Sequence, residues 1–369
     1  MILPAPERSG QEPGLWQVTS EDGALLDGRA PEGLGRDDYV ALHRWMSLVR
    51  ALDGRMQTLQ RQGRISFYGS ATGQEAAVIG SGYALRPEDW VLPALRESGV
   101  ALLRGYSLAD YVNQCFGNGA DVEKGRQMPC HYGHKAVNYP PLSSPIATQL
   151  PQAVGVALAM KARGDNACAI GYMGDGATSE ADFHIAMEFA ARLHAPVVLF
   201  CQNNQWAIST GWKQQTAARS LACKAHGYGM DGYRVDGNDV LAVVAVTKLA
   251  ADKARAGGGP TFIEALTYRV GAHSTSDDPS RYRDESITAQ WKERDPIARF
   301  RRTLEGLGWW SPTDEEAMQA DLEERIKREI ARAEAEAPPS TDTLFEDVYA
   351  EPWWRLREQA AEMKARVHG

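Results

Sequence analysis

The chain has 369 residues, of which 43% are hydrophobic and 24% charged, a composition typical of soluble globular proteins. Its formal net charge of −8 argues against nucleic acid as a partner, because binding to phosphate backbones depends on clustered lysines and arginines. No apolar run approaches the length of a membrane span, so we expect no membrane partner either.

Residues 1–36 are rich in proline and glycine and show no sustained hydrophobic period. This predicts an extended N-terminal arm that lies on a surface or on a partner. The first 14 residues lack the apolar core of a secretory signal peptide, which predicts a cytoplasmic location. The five cysteines show neither a Cys-x-x-Cys motif nor zinc spacing, so we expect reduced thiols.

Two helices and a short strand are predicted next. Asp37 and Asp38 can cap a long helix, which Gly63 ends, and a second helix covers about 74–84. The first helix carries an apolar stripe at helical spacing, formed by Leu42, Met46, Val49, Leu52, Met56 and Leu59. Residues 90–95 form the short strand, and Arg96 follows it at the start of a turn.

A long loop at 118–143 contains glycine, proline and histidine, and a loop of this length in a compact domain usually serves a site. His131 and His134 lie three residues apart without further ligands, so a zinc site is not expected there. A helix begins near Thr148 and leads into the strand at 167–173.

That strand ends at Gly174-Asp175-Gly176, a turn that lets the backbone approach a ligand and presents a carboxylate. Ser179 and Asp182 have the spacing of a capping box for the next helix. The helix shows one apolar face, formed by Phe183, Ala186, Met187, Ala190 and Leu193.

A second, wholly apolar strand at 197–201 is followed by Asn203 and Asn204. The carboxyl ends of neighbouring parallel strands are where an open α/β sheet binds ligands. Asp175, the amide oxygen of Asn204 and a carbonyl near Trp206 offer the oxygen ligands that Mg²⁺ takes, usually together with phosphates. N–H groups of the glycines and of the helix start would face a diphosphate.

A lone GDG fits an ordinary turn equally well. Here GDG is followed by 26 residues (177–202) and then by NN, with strand, helix and strand between them. This is the thiamine diphosphate-binding motif, and the sequence resembles thiamine-dependent enzymes.

The alternation of strands and helices continues, with a strand at 233–235, a helix from the Asp236–Asp239 turn to about 255, and a strand at 261–268. It predicts an α/β fold, a parallel sheet with helices on both faces. His273 follows the last strand and suits proton transfer, although the residues alone fit a solvated loop histidine as well.

Three regions are expected: the arm at 1–36, a thiamine diphosphate-binding α/β domain at 37–285, and a helical C-terminal region at 286–369. The last region contains Trp309-Trp310 and Trp353-Trp354 in polar surroundings, so we expect these aromatics at a subunit interface.

Longer motifs follow one another in the chain from about Tyr39 onward: RISFY (64–68), GRQMP (125–129), SSPIATQLPQAVG (143–155), GDGATSE (174–180), NNQWAIST (203–210), YRVDGNDV (233–240) and HSTSDDPSRYR (273–283). In these motifs the chain resembles the alpha subunit of the decarboxylase component of 2-oxo acid dehydrogenase complexes, most closely the branched-chain members. The resemblance implies an alpha2-beta2 heterotetramer in which this chain binds the diphosphate and magnesium. A beta subunit supplies an essential glutamate, and the acyl product passes to a lipoyl arm of the acyltransferase component.

The resemblance also implies roles for individual residues. The magnesium ligands would be Asp175, Asn204 and the Trp206 carbonyl, and the diphosphate contacts would be Arg96, Gly174, Gly176 and Ala177. Ser144 and Ile146 would cradle the cofactor, and His273 would be catalytic. Phe67, Tyr68, Met128, His131 and Ser144 would face the substrate, and Ser143, Pro145, Thr148 and Gln149 match a potassium site of some members.

Two departures concern the site. Leu95 stands on the substrate side where many relatives have tyrosine, and Gln202 stands on the cofactor side where relatives often have a phosphate-binding arginine. Asp284 replaces a regulatory serine of animal enzymes, so phosphorylation control is not carried over. The expected substrates are 3-methyl-2-oxobutanoate and its homologues. The alternatives are the alpha subunit of a pyruvate or acetoin dehydrogenase, a non-catalytic assembly subunit, or a nucleotide-binding module.

Overall fold

A parallel sheet of five strands, in the order β1-β2-β3-β7-β6, organises the computed structural model, which describes residues 14–347 and 349–368. The strands are β1 (Trp90–Leu92), β2 (Ala169–Gly174), β3 (Val197–Asn203), β4 (Trp206–Ala207), β5 (Thr210–Gly211), β6 (Asp231–Asp236) and β7 (Thr261–Leu266). Strands β4 and β5 form a separate antiparallel pair. Strand β1 is shorter than predicted because Pro93 has no N–H to continue the ladder.

Helices cover both faces of the sheet, so the predicted fold class is confirmed. They are α1 (Arg36–Arg61), α2 (Glu75–Tyr83), α3 (Ser98–Leu103), α4 (Leu108–Phe116), α5 (Gln149–Arg163), α6 (Ala181–Leu193), α7 (Trp212–Gln215), α8 (Val240–Arg255), α9 (Glu285–Glu293), α10 (Pro296–Gly306), α11 (Pro312–Ala335) and α12 (Trp354–His368). Within the described residues, no helix is both long and apolar enough to cross a bilayer.

Strand β2 shows how the sheet separates two apolar cores. Ile170 and Tyr172 pack into the core that includes α1, α2 and α8, whereas Ala169 and Met173 pack into the core with α5 and α6. Because side chains alternate along a strand, an apolar run buries both faces at once. The register pairs Gly174 of β2 with Gln202 of β3, so the two strands end side by side.

The capping residues are partly as predicted. Asp38 accepts a hydrogen bond from the N–H of Gly35 at the start of α1, and Asp239 caps α8 by accepting from Ala242. The capping box at Ser179 is wrong, because 175–179 form a 3-10 turn and Glu180 precedes α6 without a side-chain cap. The apolar face of α6 is buried as predicted except at Leu193, which is 41% exposed.

The described part of the N-terminal arm lies on this chain's own surface. The Trp16 N–H donates to the carbonyl of Arg234 on β6, and the N–H groups of Val18 and Thr19 donate to Asp239. Backbone pairing with an edge strand explains why a segment without a hydrophobic period is ordered. Residues 1–13 of the predicted arm lie outside the described residues.

The C-terminal helices share the main core, because Phe300 of α10 and Leu322 of α11 belong to the same buried cluster as α1. Trp310 is 8% exposed and packs against His43, so its burial comes from its own chain and not from an interface. Trp309 packs against Tyr39 but is only partly buried, so an interface role for Trp309 stays a prediction. Outside this core, the rings of Trp353 and Trp354 are 48% and 63% exposed. The division of the chain near residue 285 stays a prediction.

Arg299 on α10 connects three segments, and we expect Arg299→Met to destabilise the fold by about 3–5 kcal/mol. The Arg299 guanidinium is buried and donates to Asp236 at 2.7 Å and to the carbonyl of Thr19 at 2.7 Å. Without it, the carboxylates of Asp236 and Asp239 would lose their buried cation. Denaturant unfolding measures the loss. Arg325→Met on α11, where the side chain is 43% exposed, is the matched control, with an expected change below about 0.5 kcal/mol.

Candidate functional site

A cavity of about 440 Å³ opens at the carboxyl ends of β2 and β3. Its walls come from the β1–α3 turn, the loop before α5, the two strand ends and the loop after β7. It brings together these predicted site residues: Phe67, Leu95, Arg96, Met128, His131, Ser143, Ser144, Ile146, Gln149, Gly174, Asp175, Gly176, Ala177, Gln202, Asn204, Trp206 and His273. Residues far apart in sequence therefore share one site, although their individual roles stay predictions.

Asp175 follows β2 at the start of the 3-10 turn and is only 2% exposed. Among the described residues, its Oδ2 accepts one side-chain hydrogen bond, from the amide of Gln215 at 3.0 Å. Burial raises the pKa of Asp175 to about 6. A buried carboxylate with a single neutral side-chain donor is costly to keep ionised, and a bound cation would remove that cost.

Asn204 and Trp206 line the same cavity as Asp175. The Asn204 Nδ2 donates to Gln74 at 3.0 Å and its Oδ1 accepts from the Trp206 N–H at 3.2 Å, which fixes the amide orientation. The loop that carries them turns through the left-handed backbone of Gln205, at φ +72°, a conformation maintained at functional loops only by surrounding contacts.

These oxygens fit magnesium rather than a metal held by the protein alone. Within the described residues, no group of three or more histidines, cysteines or acidic residues is arranged to hold a metal ion. Mg²⁺ is usually bound through one or two protein groups together with substrate phosphates. Asp175, Asn204 and the Trp206 carbonyl, which already accepts from Arg269 at 3.1 Å, match that requirement.

The residues predicted for the diphosphate form a cationic, close-fitting wall. A Cβ on Gly176 would lie 2.7 Å from the Cβ of Ala207, so only glycine fits there. Arg96 is buried and donates to the carbonyls of Ser70 and His273, and among the described residues it makes no ion pair. Burial and the neighbouring Arg269 lower the pKa of Arg96 to about 10. A buried guanidinium without a carboxylate partner suits an anionic ligand.

His273 lines the cavity beside Arg96. Its backbone N–H donates to Asp277 at 2.7 Å, and its Nδ1 is 3.4 Å from a guanidinium nitrogen of Arg96. Burial, Arg96 and Arg269 lower the pKa of His273 to about 4, so the ring is neutral at pH 7. Because the Arg96 nitrogen can only donate, Nδ1 is the acceptor and Nε2 carries the hydrogen.

The substrate side is mostly apolar. Phe67, Leu95 and Met128 line it, and the His131 Nε2 lies 2.7 Å from the Ser144 hydroxyl. Ile146 is 56% exposed at the cavity, next to the buried Ala147, whose left-handed backbone (φ +70°) turns the chain there.

Tyr68 is the exception, because its ring is not part of the cavity wall. Its side chain is 1% exposed, and its hydroxyl donates to Asp53 at 2.8 Å and lies 2.5 Å from that of Tyr111. The prediction that Tyr68 faces the substrate is therefore wrong. The contacts of its hydroxyl with Asp53 and Tyr111 keep the ring in the core.

The predicted potassium ligands are only partly at the cavity, since Pro145 and Thr148 do not line it. Gln149 donates to the carbonyl of Tyr172 at 2.7 Å, and its Oε1 is buried without a hydrogen-bond partner among the described residues. Potassium binding stays a prediction.

Four residues that sequence reasoning missed shape the site: Gln74, Glu97, Gln215 and Arg269. Gln74 orients Asn204 and Gln215 contacts Asp175, while Arg269 donates to the carbonyls of Trp206 and Ile208. Glu97 accepts from Gln202. Each acts through tertiary contacts, so no local pattern distinguishes them; only the position of Glu97 beside Arg96 was a signal.

Comparison with known proteins agrees with this geometry. Residues 43–342 match the model of the family described as dehydrogenase E1 component. The chain is 44% identical to the 2-oxoisovalerate dehydrogenase subunit alpha 1, mitochondrial, of Arabidopsis thaliana, over 98% of this chain and 77% of that protein. It is 41% identical to the mitochondrial 2-oxoisovalerate dehydrogenase subunit alpha of Homo sapiens, over 94% of this chain and 78% of that protein.

These names correct the predicted cytoplasmic location, which is wrong, because both relatives, and also the 42% identical one from Caenorhabditis elegans, are named as mitochondrial. The prediction used the lack of an apolar signal-peptide core. That feature concerns secretion, whereas mitochondrial targeting uses amphipathic, arginine-rich segments.

The matched span includes both strand ends, the loop before α5 and the loop after β7, which together build the cavity. Each relative reported is more than 40% identical over nearly the whole of this chain. The predicted family is thus confirmed, and the chain belongs to the dehydrogenase E1 component family.

Proposed function

We propose that this chain is the alpha subunit of a branched-chain 2-oxo acid dehydrogenase complex, which decarboxylates 3-methyl-2-oxobutanoate and its homologues and transfers the acyl group to a lipoyl arm. One observation carries the proposal: Asp175 and Asn204, at adjacent strand ends, share an apolar-walled cavity with Arg96 and His273. Oxygen ligands, a neutral histidine and a buried cation that has no ion pair within the described part of the chain suit a metal-bound diphosphate cofactor.

The family depends on thiamine diphosphate, which supplies an electron sink for decarboxylation of a 2-oxo acid when it is bound. Asp175, Asn204 and the Trp206 carbonyl would hold Mg²⁺. The N–H groups at Gly176 and Ala177 and the guanidinium of Arg96 would bind the diphosphate. Ser144 and Ile146 would support the cofactor, and potassium at Gln149 would give the unpartnered Oε1 a cation.

His273 would donate or accept a proton close to the reacting carbon. In the neutral ring, Nε2–H can donate to an oxygen that becomes negative as the substrate adds, while Arg96 at Nδ1 fixes the tautomer. An anionic diphosphate beside Arg96 offsets the positive field on the imidazole. The pKa of His273 therefore rises when the cofactor binds, towards the range in which proton transfer is efficient.

The apolar wall supports a branched aliphatic tail as substrate. Phe67, Leu95 and Met128 offer carbon contacts, and His131 is occupied by Ser144. The relatives named 2-oxoisovalerate dehydrogenase support this choice over a pyruvate or acetoin enzyme. Retention of Asp175, Asn204 and His273 in one cavity supports an enzyme over a non-catalytic subunit or a nucleotide-binding module.

The role of an alpha subunit implies a beta subunit and a lipoyl-bearing acyltransferase as partners. We extend this to an alpha2-beta2 heterotetramer. Two exposed apolar surfaces support burial by another chain: Trp353 and Trp354 at the start of α12, and Ile185, Phe189 and Leu193 along α6, which are 47%, 55% and 41% exposed.

The substrate is tested with this chain co-expressed with its beta subunit. We expect kcat/KM for 3-methyl-2-oxobutanoate to exceed that for pyruvate by about 10–200-fold for each methyl group that pyruvate lacks. A preference for pyruvate would refute the substrate. Turnover of neither acid, in an assembly that retains thiamine diphosphate, would refute the enzymatic role.

A further inference from the structure

Glu97 and Gln202 form a buried pair at the cavity wall, beside the residue predicted to contact the diphosphate. Both residues line the cavity, and the strand register pairs Gln202 directly with Gly174. They are 1% and 2% exposed. A change in the charge or the hydrogen bonds of this pair therefore affects the predicted diphosphate site directly.

The hydrogen bonds of this pair are incomplete. The Gln202 Nε2 donates to Oε1 of Glu97, and the other carboxylate oxygen accepts from the N–H groups of Ala94 and Arg96 at 2.8 and 3.2 Å. Every acceptor of Glu97 is satisfied, but Oε1 of Gln202 is buried and has no partner among the described residues. Leaving a buried amide oxygen unpaired costs about 1–3 kcal/mol.

A second arrangement removes that deficit. If Glu97 is protonated, its hydroxyl can donate to the amide oxygen of Gln202 once the amide has turned over. The amide nitrogen then takes the position of the unpartnered oxygen, where it needs an acceptor. A diphosphate beside Gly174 offers that acceptor, so the proton and the anion favour each other's binding.

We propose that Glu97 takes up a proton when thiamine diphosphate binds, and that this turns the Gln202 amide so that its nitrogen donates to the diphosphate. Gln202 then serves as a neutral phosphate contact, and Glu97 is the residue that positions it. The inference rests on the proposed cofactor and goes beyond it by adding a proton to the binding equilibrium.

The surroundings of Glu97 allow this titration. Burial raises the pKa of Glu97 to about 7, against the opposing effect of Arg96. The other titratable groups that face it are Tyr172 on β2 and Tyr139 in the loop before α5. Burial raises the pKa of both phenols, so they stay neutral. Glu97 is therefore ionised in the free protein at pH 8 and protonated at pH 6.

The test measures binding of thiamine diphosphate with Mg²⁺ by calorimetry, on the full chain with its beta subunit. Two buffers of different ionisation enthalpy report proton uptake. Glu97→Gln replaces the protonated acid with an amide, which preserves the same hydrogen bonds. We expect it to bind about tenfold more tightly than wild type at pH 8 and within about twofold at pH 6. On binding the cofactor at pH 8, wild type should take up close to one proton more than Glu97→Gln does.

Two further variants separate the amide from simple charge repulsion. Gln202→Leu removes the amide, so adding Glu97→Gln to it should leave affinity at pH 8 unchanged within about twofold. If repulsion alone operated, the tenfold effect of Glu97→Gln would persist without the amide. Glu88→Gln, the same change at an exposed residue, is the control and should match wild type.

Equal proton uptake by wild type and Glu97→Gln would overturn the inference, as would a tenfold effect that persists in Gln202→Leu. Wild type that binds no thiamine diphosphate at either pH would instead refute the proposed function, and this inference with it. Thermal unfolding of each variant shows whether a loss of binding comes from a loss of folding.

Discussion

Asp175→Asn is expected to reduce binding of Mg²⁺ and thiamine diphosphate by more than about 100-fold, because loss of a group that only supports a metal ligand already costs 10–100-fold. The same change should stabilise the cofactor-free chain. Asp175 is buried, and within the described residues one side chain donates to it. Its negative charge therefore destabilises the fold until a cation binds. Asparagine keeps the shape and carries no charge.

The gain in stability of Asp175→Asn should depend on pH. The pKa of Asp175 is raised to about 6 in the folded chain, so the folded state binds more protons than the unfolded state. The contribution of Asp175 to stability is therefore most favourable below its ordinary pKa of 3.8, falls as the pH rises to about 6, and is constant above that. The full cost at pH 8 is about 3 kcal/mol and about half as large at pH 5. Asp175→Asn should recover much of this, more at pH 8 than at pH 5.

Urea unfolding without metal, at both pH values, measures the gain in stability, and calorimetry measures cofactor affinity. Asp165→Asn is the matched control, because Asp165 is exposed just before β2, near the opposite end of the same strand. It should change neither quantity. A variant that loses stability, or that binds cofactor normally, would show that Asp175 supports the fold rather than the metal.

Asp175 and Asn204 illustrate what was predictable from sequence. Each directly follows an apolar strand, and the strand order of an α/β fold brings such ends together. Local pattern and general topology were sufficient, because the site is built where the backbone ends a strand. The same reasoning placed His273 after β7, and the structure has it lining the cavity.

Tyr68 and Trp310 show where such reasoning stops. Tyr68 follows the cavity residue Phe67, and no local sequence pattern indicates that its hydroxyl will donate to Asp53 rather than face the cavity. That hydrogen bond depends on how α1 packs. The polar segment around the tryptophans predicted burial by another subunit, but α10 and α11 fold back onto α1 and bury Trp310 within this chain. Contacts between distant segments decide burial, and a single sequence does not contain them.

The Glu97–Gln202 pair shows a further limit. From sequence, Gln202 is the loss of a phosphate-binding cation. In the structure it is one half of a hydrogen-bonded pair whose other half lies 105 residues away. A substitution can be interpreted only together with the group that it faces, and here that group is itself titratable near neutral pH.

His273→Ala is expected to lower kcat of the assembled enzyme by about 10²–10⁴-fold, the usual contribution of a positioned acid or base. Cofactor affinity should change by less than about threefold, since the short contact of Arg96 with residue 273 is to its backbone carbonyl, at 2.8 Å, and alanine keeps that atom. Loss of turnover with binding retained assigns His273 to the chemistry.

The measurements are steady-state turnover of 3-methyl-2-oxobutanoate and calorimetric binding of thiamine diphosphate, on the same preparation. His226→Ala, at an exposed histidine outside the cavity wall, should match wild type in both. If His273→Ala also lost the cofactor, the ring would act by holding Arg96 rather than by moving a proton. Unchanged turnover would remove His273 from the mechanism and favour an assembly subunit. Among the described histidines only His131 also lines the cavity, and its ring already contacts the Ser144 hydroxyl, so it could not replace His273.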